Sequence, residues 1–184
     1  MNKRFFGKII PVVILAIALA FIFRSFFFAS YIVDGESMQP TLYDGNMLMV
    51  NKLAYDLTDV DRFDVVVFHA NSKEDYVKRV IGLPGDKIEY RNDKLYINSK
   101  HVEEPFLEPL KKREYTMGPF TNDFTLKEVT GKSRVPEGKI FVMGDNRRDS
   151  LDSRVFGFVS VKKLVGKVDA KYWPISQMQL SFGK

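Results

Sequence analysis

The 184-residue chain has no cysteine and only two histidines, His69 and His101. Without thiols there is no disulfide framework and no thiolate zinc site. Two histidines so far apart in sequence also make a poor metal pair, because ligands usually come at short spacing. Acid is missing from residues 1–33, which hold Lys3, Arg4, Lys8 and Arg24. Residues 34–184 carry 24 basic and 23 acidic side chains, so the formal charge of +5 belongs mostly to the N-terminal segment. A domain so nearly balanced lacks the basic face that nucleic acid requires, and no nucleic-acid partner is expected. Internal repeats and low-complexity tracts are absent too. With 45% hydrophobic residues, the chain has enough apolar material for one packed domain plus an appendage.

The appendage comes first. "MNKRFFGK" is a short basic segment, and "IIPVVILAIALAFIF" (9–23) follows without a polar side chain. From Ile9 to Val33 the run counts 25 residues with one charge, Arg24. A bilayer core needs about 20. Ala18-Leu19-Ala20 offers a small-x-small site of the kind that ends a cleaved secretory signal. The apolar run continues through Phe21–Phe23 and Phe26–Phe28, which favours a retained anchor. The positive-inside rule places the N-terminus in the cytoplasm and the remainder outside, with Arg24 snorkelling to the outer headgroups. The expected division is a basic cytoplasmic segment (1–8), a transmembrane anchor (9–30) and an extracytoplasmic domain (31–184).

That outer domain reads with period two. Residues 46–53, 64–70, 76–83, 87–90, 94–98, 139–144 and 165–173 alternate as strands, separated by turn clusters such as "LPGD", "RNDK" and "VPEG". Residues 87–98 look like a hairpin. Residues 102–134, with Pro105, Pro109 and Pro119, read as an irregular excursion. No convincing amphipathic helix follows the span, apart from a short turn at 160–166. The expected fold class is mainly β, an antiparallel β domain preceded by one transmembrane helix.

Three stretches carry chemistry. "GESMQPTL" (35–42) sets Ser37 among turn-prone residues, and a serine nucleophile needs a proton acceptor. His69 and His101 are candidates. Lys78, in "DYVKRVIGLPGD" (75–86), is another. Strand alternation points Lys78 and Arg79 to opposite faces, so at least one of them meets apolar surroundings. Only the lysine can act as a base, since a guanidinium keeps its proton. Half-neutrality near pH 8 requires its pKa to fall by about 2.4 units, or ~3 kcal/mol, which burial supplies. The third stretch, "GDNRRDSLDSR" (144–154), is dense in charge. It fits either a solvated turn or a polar scaffold, with Asp152 and Arg154 paired and Ser150 hydrogen-bonded to a neutral lysine amine. The S-x-x-K pattern at Ser160–Lys163 is a chance match without its companion motifs.

In order along the chain, the anchor, "GESMQPTL", "DVVVFH", "YVKRVIGLPGD", "GDNRRDSLDSR" and "YWP" resemble the type I signal peptidases, most nearly the single-anchor form of Gram-positive bacteria. The resemblance covers nearly the whole chain. It implies Ser37 as nucleophile and Lys78 as general base. Ser150, Asp152, Arg154, Gly144 and Arg79 would orient or brace the site. It also implies an antiparallel β catalytic core, related to that of the self-cleaving repressors, with a β-rich excursion at about 86–138. The implied reaction removes signal peptides from secretory preproteins after small-x-small sites. Membrane lipid is an implied partner and the secretion translocase a further candidate; no metal or organic cofactor is implied.

The sequence departs from the family at Gly35, where some members carry a hydroxyl that helps hold the oxyanion. The oxyanion hole then rests on backbone N–H groups of the Gly35 region, chiefly that of Ser37. An extended substrate is expected to add as a strand beside residues 32–37 and 76–78, with Trp173 and Phe106 dipping into the membrane interface. A cytoplasmic Ser/Lys self-cleaving repressor and a membrane-tethered binding module are the rival readings. The anchor argues against the first.

Overall fold

Alternating apolar residues give most strands one face for the core, a continuous apolar run such as Val65–Phe68 gives two, and the turn clusters reverse the chain between them. The structure, a computed structural model, describes residues 10–19, 26–113 and 118–182. Among these, eleven strands form two antiparallel sheets. They are β1 (Phe28–Ile32), β2 (Met47–Asn51), β3 (Val65–His69), β4 (Asp75–Gly82), β5 (Ile88–Arg91), β6 (Lys94–Ile97), β7 (Lys100–Val102), β8 (Phe124–Thr125), β9 (Lys139–Met143), β10 (Val159–Ser160) and β11 (Leu164–Trp173). The larger sheet runs β1-β2-β11-β3-β4-β9-β10 and the smaller β7-β6-β5-β8.

Every strand read from the sequence is present with its ends moved by a residue or two. The others escaped the alternation test. β1 lies inside the apolar run assigned to the anchor, so the stretch 9–30 overreaches: Phe28 already pairs with Asn51 of β2. A lipid-facing helix and a sheet-edge strand both demand apolar residues, which hides the boundary. β7, β8 and β10 are two or three residues long, too short to show a period. The stretch 102–134 is less irregular than expected. It holds the end of β7, β8 and the short helices Glu108–Arg113 and Leu126–Thr130.

Residues 10–19 are helical. Among the described residues no helix is long and apolar enough to cross a membrane. The basic segment 1–8, and Ile9, Ala20 and residues 21–25 with Arg24, lie outside the described residues.

The core falls into packed clusters on the two sheets. One gathers Val33, Met38, Leu42, Leu48, Val50, Val65, Val67, Val168 and Phe182. On the other face of β3 and β4, Val66, Phe68 and Val80 pack with Ile140, Val142 and Val159. The smaller sheet adds Ile88, Tyr90, Leu95 and Phe124, which meet Ile81, Phe141 and Met143 of the larger one. Met143 and Ile81 thus tie the excursion to the strands that carry the site.

Candidate active site

Ser37 stands on the loop between β1 and β2. Val33 N–H donates to Asn46 O at 2.9 Å and Gly45 N–H to Val33 O at 2.9 Å, closing the loop at its neck. Met38 and Leu42 are fully buried and pin it to the core, each contributing about 2 kcal/mol of apolar burial. Gly35 adopts φ +92°, a left-handed conformation that favours glycine. Its N–H donates to Asp44 Oδ1 at 2.9 Å. That bond takes Gly35 out of the oxyanion hole expected of its region. The Ser37 N–H donates to no group among the described residues.

Lys78 comes from β4, paired with Val66 of β3. Its Nζ lies 2.7 Å from Ser37 Oγ and 3.0 Å from Val77 O. The residue is 4% exposed. Burial pushes the amine down to about 8 from 10.5, and the negative charges of Asp152 and Asp145 oppose the fall only in part. Arg79, on the other face of the strand, is fully buried. Alternation had separated the two cations, and each finds a different environment.

The Arg79 guanidinium is held on all sides. Nε and Nη2 donate to the two Asp145 oxygens at 2.9 and 2.7 Å, Nη1 to Phe63 O and Phe182 O, and Nη2 also to Thr41 Oγ1 at 3.2 Å. Thr41 Oγ1 donates to Asp145 Oδ2 at 2.5 Å. This cluster locks the β1–β2 loop, β4 and the loop after β9 together. Removing one partner of so buried a pair costs about 3–5 kcal/mol. Asp145 and Thr41 were missed in the sequence because no spacing links three segments so far apart.

Asp152 and Arg154 form the expected pair, with Nε and Nη2 donating at 2.9 and 2.7 Å. Asp152 also caps the short helix Ser153–Phe156 and accepts the Gly144 N–H at 3.1 Å. Gly144 has no room for a side chain. A Cβ there would lie 2.7 Å from Ser150 Cβ and closer still to Ser150 Oγ and the Ser37 carbonyl. The Ser150 hydroxyl differs from expectation. It is buried beside Gly144 and makes no hydrogen bond among the described residues, and Lys78 Nζ contacts Ser37 and Val77 instead.

The histidines stand apart from this chemistry. His69 Nδ1 lies 2.6 Å from Asp75 Oδ1, and the His101 ring tilts against Tyr96. Neither is a partner of Ser37. Phe106 is also not the interfacial aromatic expected: it packs edge-on against Phe63 and under the Arg79 guanidinium, 3.9 Å from ring centre to Cζ. Trp173 is 50% exposed. Among the described residues no three His, Cys, Asp or Glu side chains gather to hold a metal ion.

A cleft of about 230 Å³ opens beside the Ser37–Lys78 pair, between Ile32, Val33 and Asp34 on one wall and Tyr76 and Val77 on the other. Leu48 and Val67 form part of its apolar lining. β9 pairs with β4 only from Arg79 onward, so among the described residues Asp75–Lys78 have no strand partner on that side. β1 is likewise an edge. The cleft is therefore flanked by two unpaired stretches of extended backbone.

Residues 6–173 match the family described as signal peptidase, peptidase S26. The chain belongs to the signal peptidase family. Relatives include a signal peptidase I of Bacillus caldolyticus, 58% identical over 91% of both chains. A signal peptidase IB of Staphylococcus aureus is 44% identical over 99% of this chain and 96% of its own. A crystal structure of a signal peptidase I from Enterococcus faecalis superposes with a TM-score of 0.58 at 42% identity, covering 60% of this chain and 97% of that one. This signal peptidase family member is a peptide hydrolase.

Proposed function

We propose that the protein is a membrane-anchored serine endopeptidase that removes signal peptides from secretory preproteins after small-x-small sequences. Ser37 is the nucleophile and Lys78 the general base. The observation that carries this reading is the 2.7 Å contact between a buried lysine amine and the Ser37 hydroxyl. With the amine neutral, the Ser37 O–H donates to Nζ. As Oγ attacks the scissile carbonyl carbon, that proton passes to Nζ and the carbonyl oxygen becomes the oxyanion. The resulting ammonium protonates the leaving amine as the C–N bond breaks, leaving an acyl-enzyme. The neutral amine then takes a proton from water as the water oxygen adds to the ester carbon. The ammonium returns that proton to Ser37 Oγ as the ester C–O bond breaks, freeing the acid and restoring the resting pair. The unengaged Ser37 N–H is available to the oxyanion. Ser150 orients the amine during these transfers, and Asp152, Arg154 and Arg79 keep the loops in place.

The substrate lies extended across the cleft and pairs with the free edges near 32–34 and 75–77. The limited volume of the cleft, narrowed by Tyr31, Tyr76, Ile32 and Leu48, suits small residues at the alternate positions that face it. The apolar run that begins at Ile9 has the composition and the length in residues of a membrane anchor. β1 begins at Phe28, nine residues before Ser37, which keeps the nucleophile in the membrane-proximal part of the domain. The basic segment 1–8 then lies in the cytoplasm and the catalytic domain outside, in contact with lipid and within reach of the translocase.

The test is cleavage of a preprotein bearing Ala-x-Ala by purified full-length protein in detergent. Ser37→Ala and Lys78→Arg are expected to be inactive while folded, the second because arginine keeps its proton, and His69→Ala to be active. Cleavage by Ser37→Ala at the wild-type rate overturns the proposal.

A further inference from the structure

The smaller sheet has no part in the reaction as described so far, yet Tyr90 of β5 and Glu104, just beyond β7, both bond to Arg147 on the loop after β9. Arg147, 2% exposed, follows β9 by four residues and lies between the two sheets. On one side its Nη1 donates to Tyr90 Oη at 2.7 Å and its Nη2 to Glu104 Oε1 at 2.5 Å. Tyr90 Oη donates to the same Glu104 oxygen at 2.7 Å, closing a ring of three groups. On the other side, Nε donates to Gly144 O at 3.0 Å. A guanidinium is a rigid plane of five donors, so fixing one edge aims the other. Glu104 is buried at the end of the loop after β7, and Tyr90 on β5 stacks on Phe124 of β8. The fixed edge is thus anchored in the smaller sheet.

Gly144 is where that anchoring meets the chemistry. Its N–H is held by Asp152 and its carbonyl by Arg147. The Ser37 carbonyl and Ser150 fill the space where a side chain on Gly144 would stand, and Asn146 N–H, two residues on, donates to Ser37 O at 3.0 Å. A displaced Gly144 carries the nucleophile's backbone and Ser150 with it. Glu104 is the carboxylate paired with Arg147, whereas Asp145 and Asp152 are taken by Arg79 and Arg154.

We infer that the smaller sheet is part of the catalytic apparatus: Glu104 and Tyr90 are positioning residues that act through Arg147 on Gly144, and thereby on Ser37. The inference rests on the Ser37–Lys78 reading. A purely structural role predicts something different, namely lost stability with unchanged turnover in whatever protein folds.

The experiment compares kcat and KM on one preprotein peptide for wild type, Tyr90→Phe and the paired variant Glu104→Gln/Arg147→Met. The paired change removes both charges together and leaves no orphaned ion in the interior. Its kcat is expected to fall by about thirtyfold or more, since small misplacements of reacting groups are costly, with KM changed less than about twofold. Tyr90→Phe keeps the ring stacking and loses one bond to the guanidinium. It is expected to lower kcat by about threefold. A folded paired variant with wild-type kcat, or a loss confined to KM, overturns the inference. Should the paired variant not fold, unchanged kcat in Tyr90→Phe does so. Wild-type cleavage that is independent of Ser37 would instead overturn the reading beneath it, so the two failures are distinguishable.

Discussion

Replacing Lys78 by methionine removes a buried charge that the fold tolerates at a cost, and that cost has a definite pH dependence. The amine falls from 10.5 to about 8 on folding, chiefly through burial. At about 1.4 kcal/mol per unit, the ammonium form is disfavoured in the folded state by about 3 kcal/mol. The sign follows from proton uptake. Between about 8 and 10.5 the unfolded chain holds a proton at this lysine that the folded one has released. Stability therefore rises with pH across that window, and the penalty is present in full below it. Methionine has similar reach and no charge. Guanidinium unfolding of full-length wild type and Lys78→Met, followed by Trp173 fluorescence, measures the difference directly. From pH 7 to 10.5, wild type is expected to gain about 3 kcal/mol relative to the variant. The absolute offset includes the lost bonds to Ser37 and Val77, so the slope is the test. Parallel pH dependence in the two proteins refutes the claim that burial neutralises this amine.

Two further substitutions probe the loop after β9. Gly144→Ala forces a methyl group against Ser150 and the Ser37 carbonyl; it is expected to cost about 1–3 kcal/mol in thermal unfolding and about a hundredfold in kcat. Ser150→Ala removes a buried hydroxyl that has no partner in the resting site, so melting should change by less than about 1 kcal/mol. Its kcat is nonetheless expected to drop by about tenfold or more if the hydroxyl orients the amine during proton transfer, and an unchanged kcat removes Ser150 from the mechanism.

The long strands were legible because each is a local pattern, whereas local pattern left the base open between His69, His101 and Lys78, and only the ordered set of motifs favoured the lysine. β3, β4, β9 and β11 announce themselves by composition and bounding turns, and the opposite directions of Lys78 and Arg79 follow from the pleat alone. The Asp152–Arg154 pair was legible for the same reason, its members lying two residues apart. Contacts that bring distant segments together left no such trace. Asp145 meets Arg79 and Thr41, and Arg147 meets Glu104 and Tyr90, only once the sheets are assembled. Their signal in the sequence was an arginine-rich turn that reads equally well as a solvated loop. Ser150 shows a finer limit: the sequence suggested its neighbourhood but not whether its hydroxyl finds a partner, which depends on side-chain geometry. Phe106 was misassigned because a large aromatic in a proline-rich excursion resembles an exposed anchor, whereas here it covers the Arg79 guanidinium.

The most direct measurement of the central claim is the pH dependence of kcat/KM for preprotein cleavage by the full-length protein. Activity is expected to rise with pH along a limb centred at about 8, as the Lys78 ammonium gives up its proton, with no activity at any pH in Lys78→Arg. A limb at about 6.5, the ordinary histidine value, that disappears in His69→Ala would contradict it.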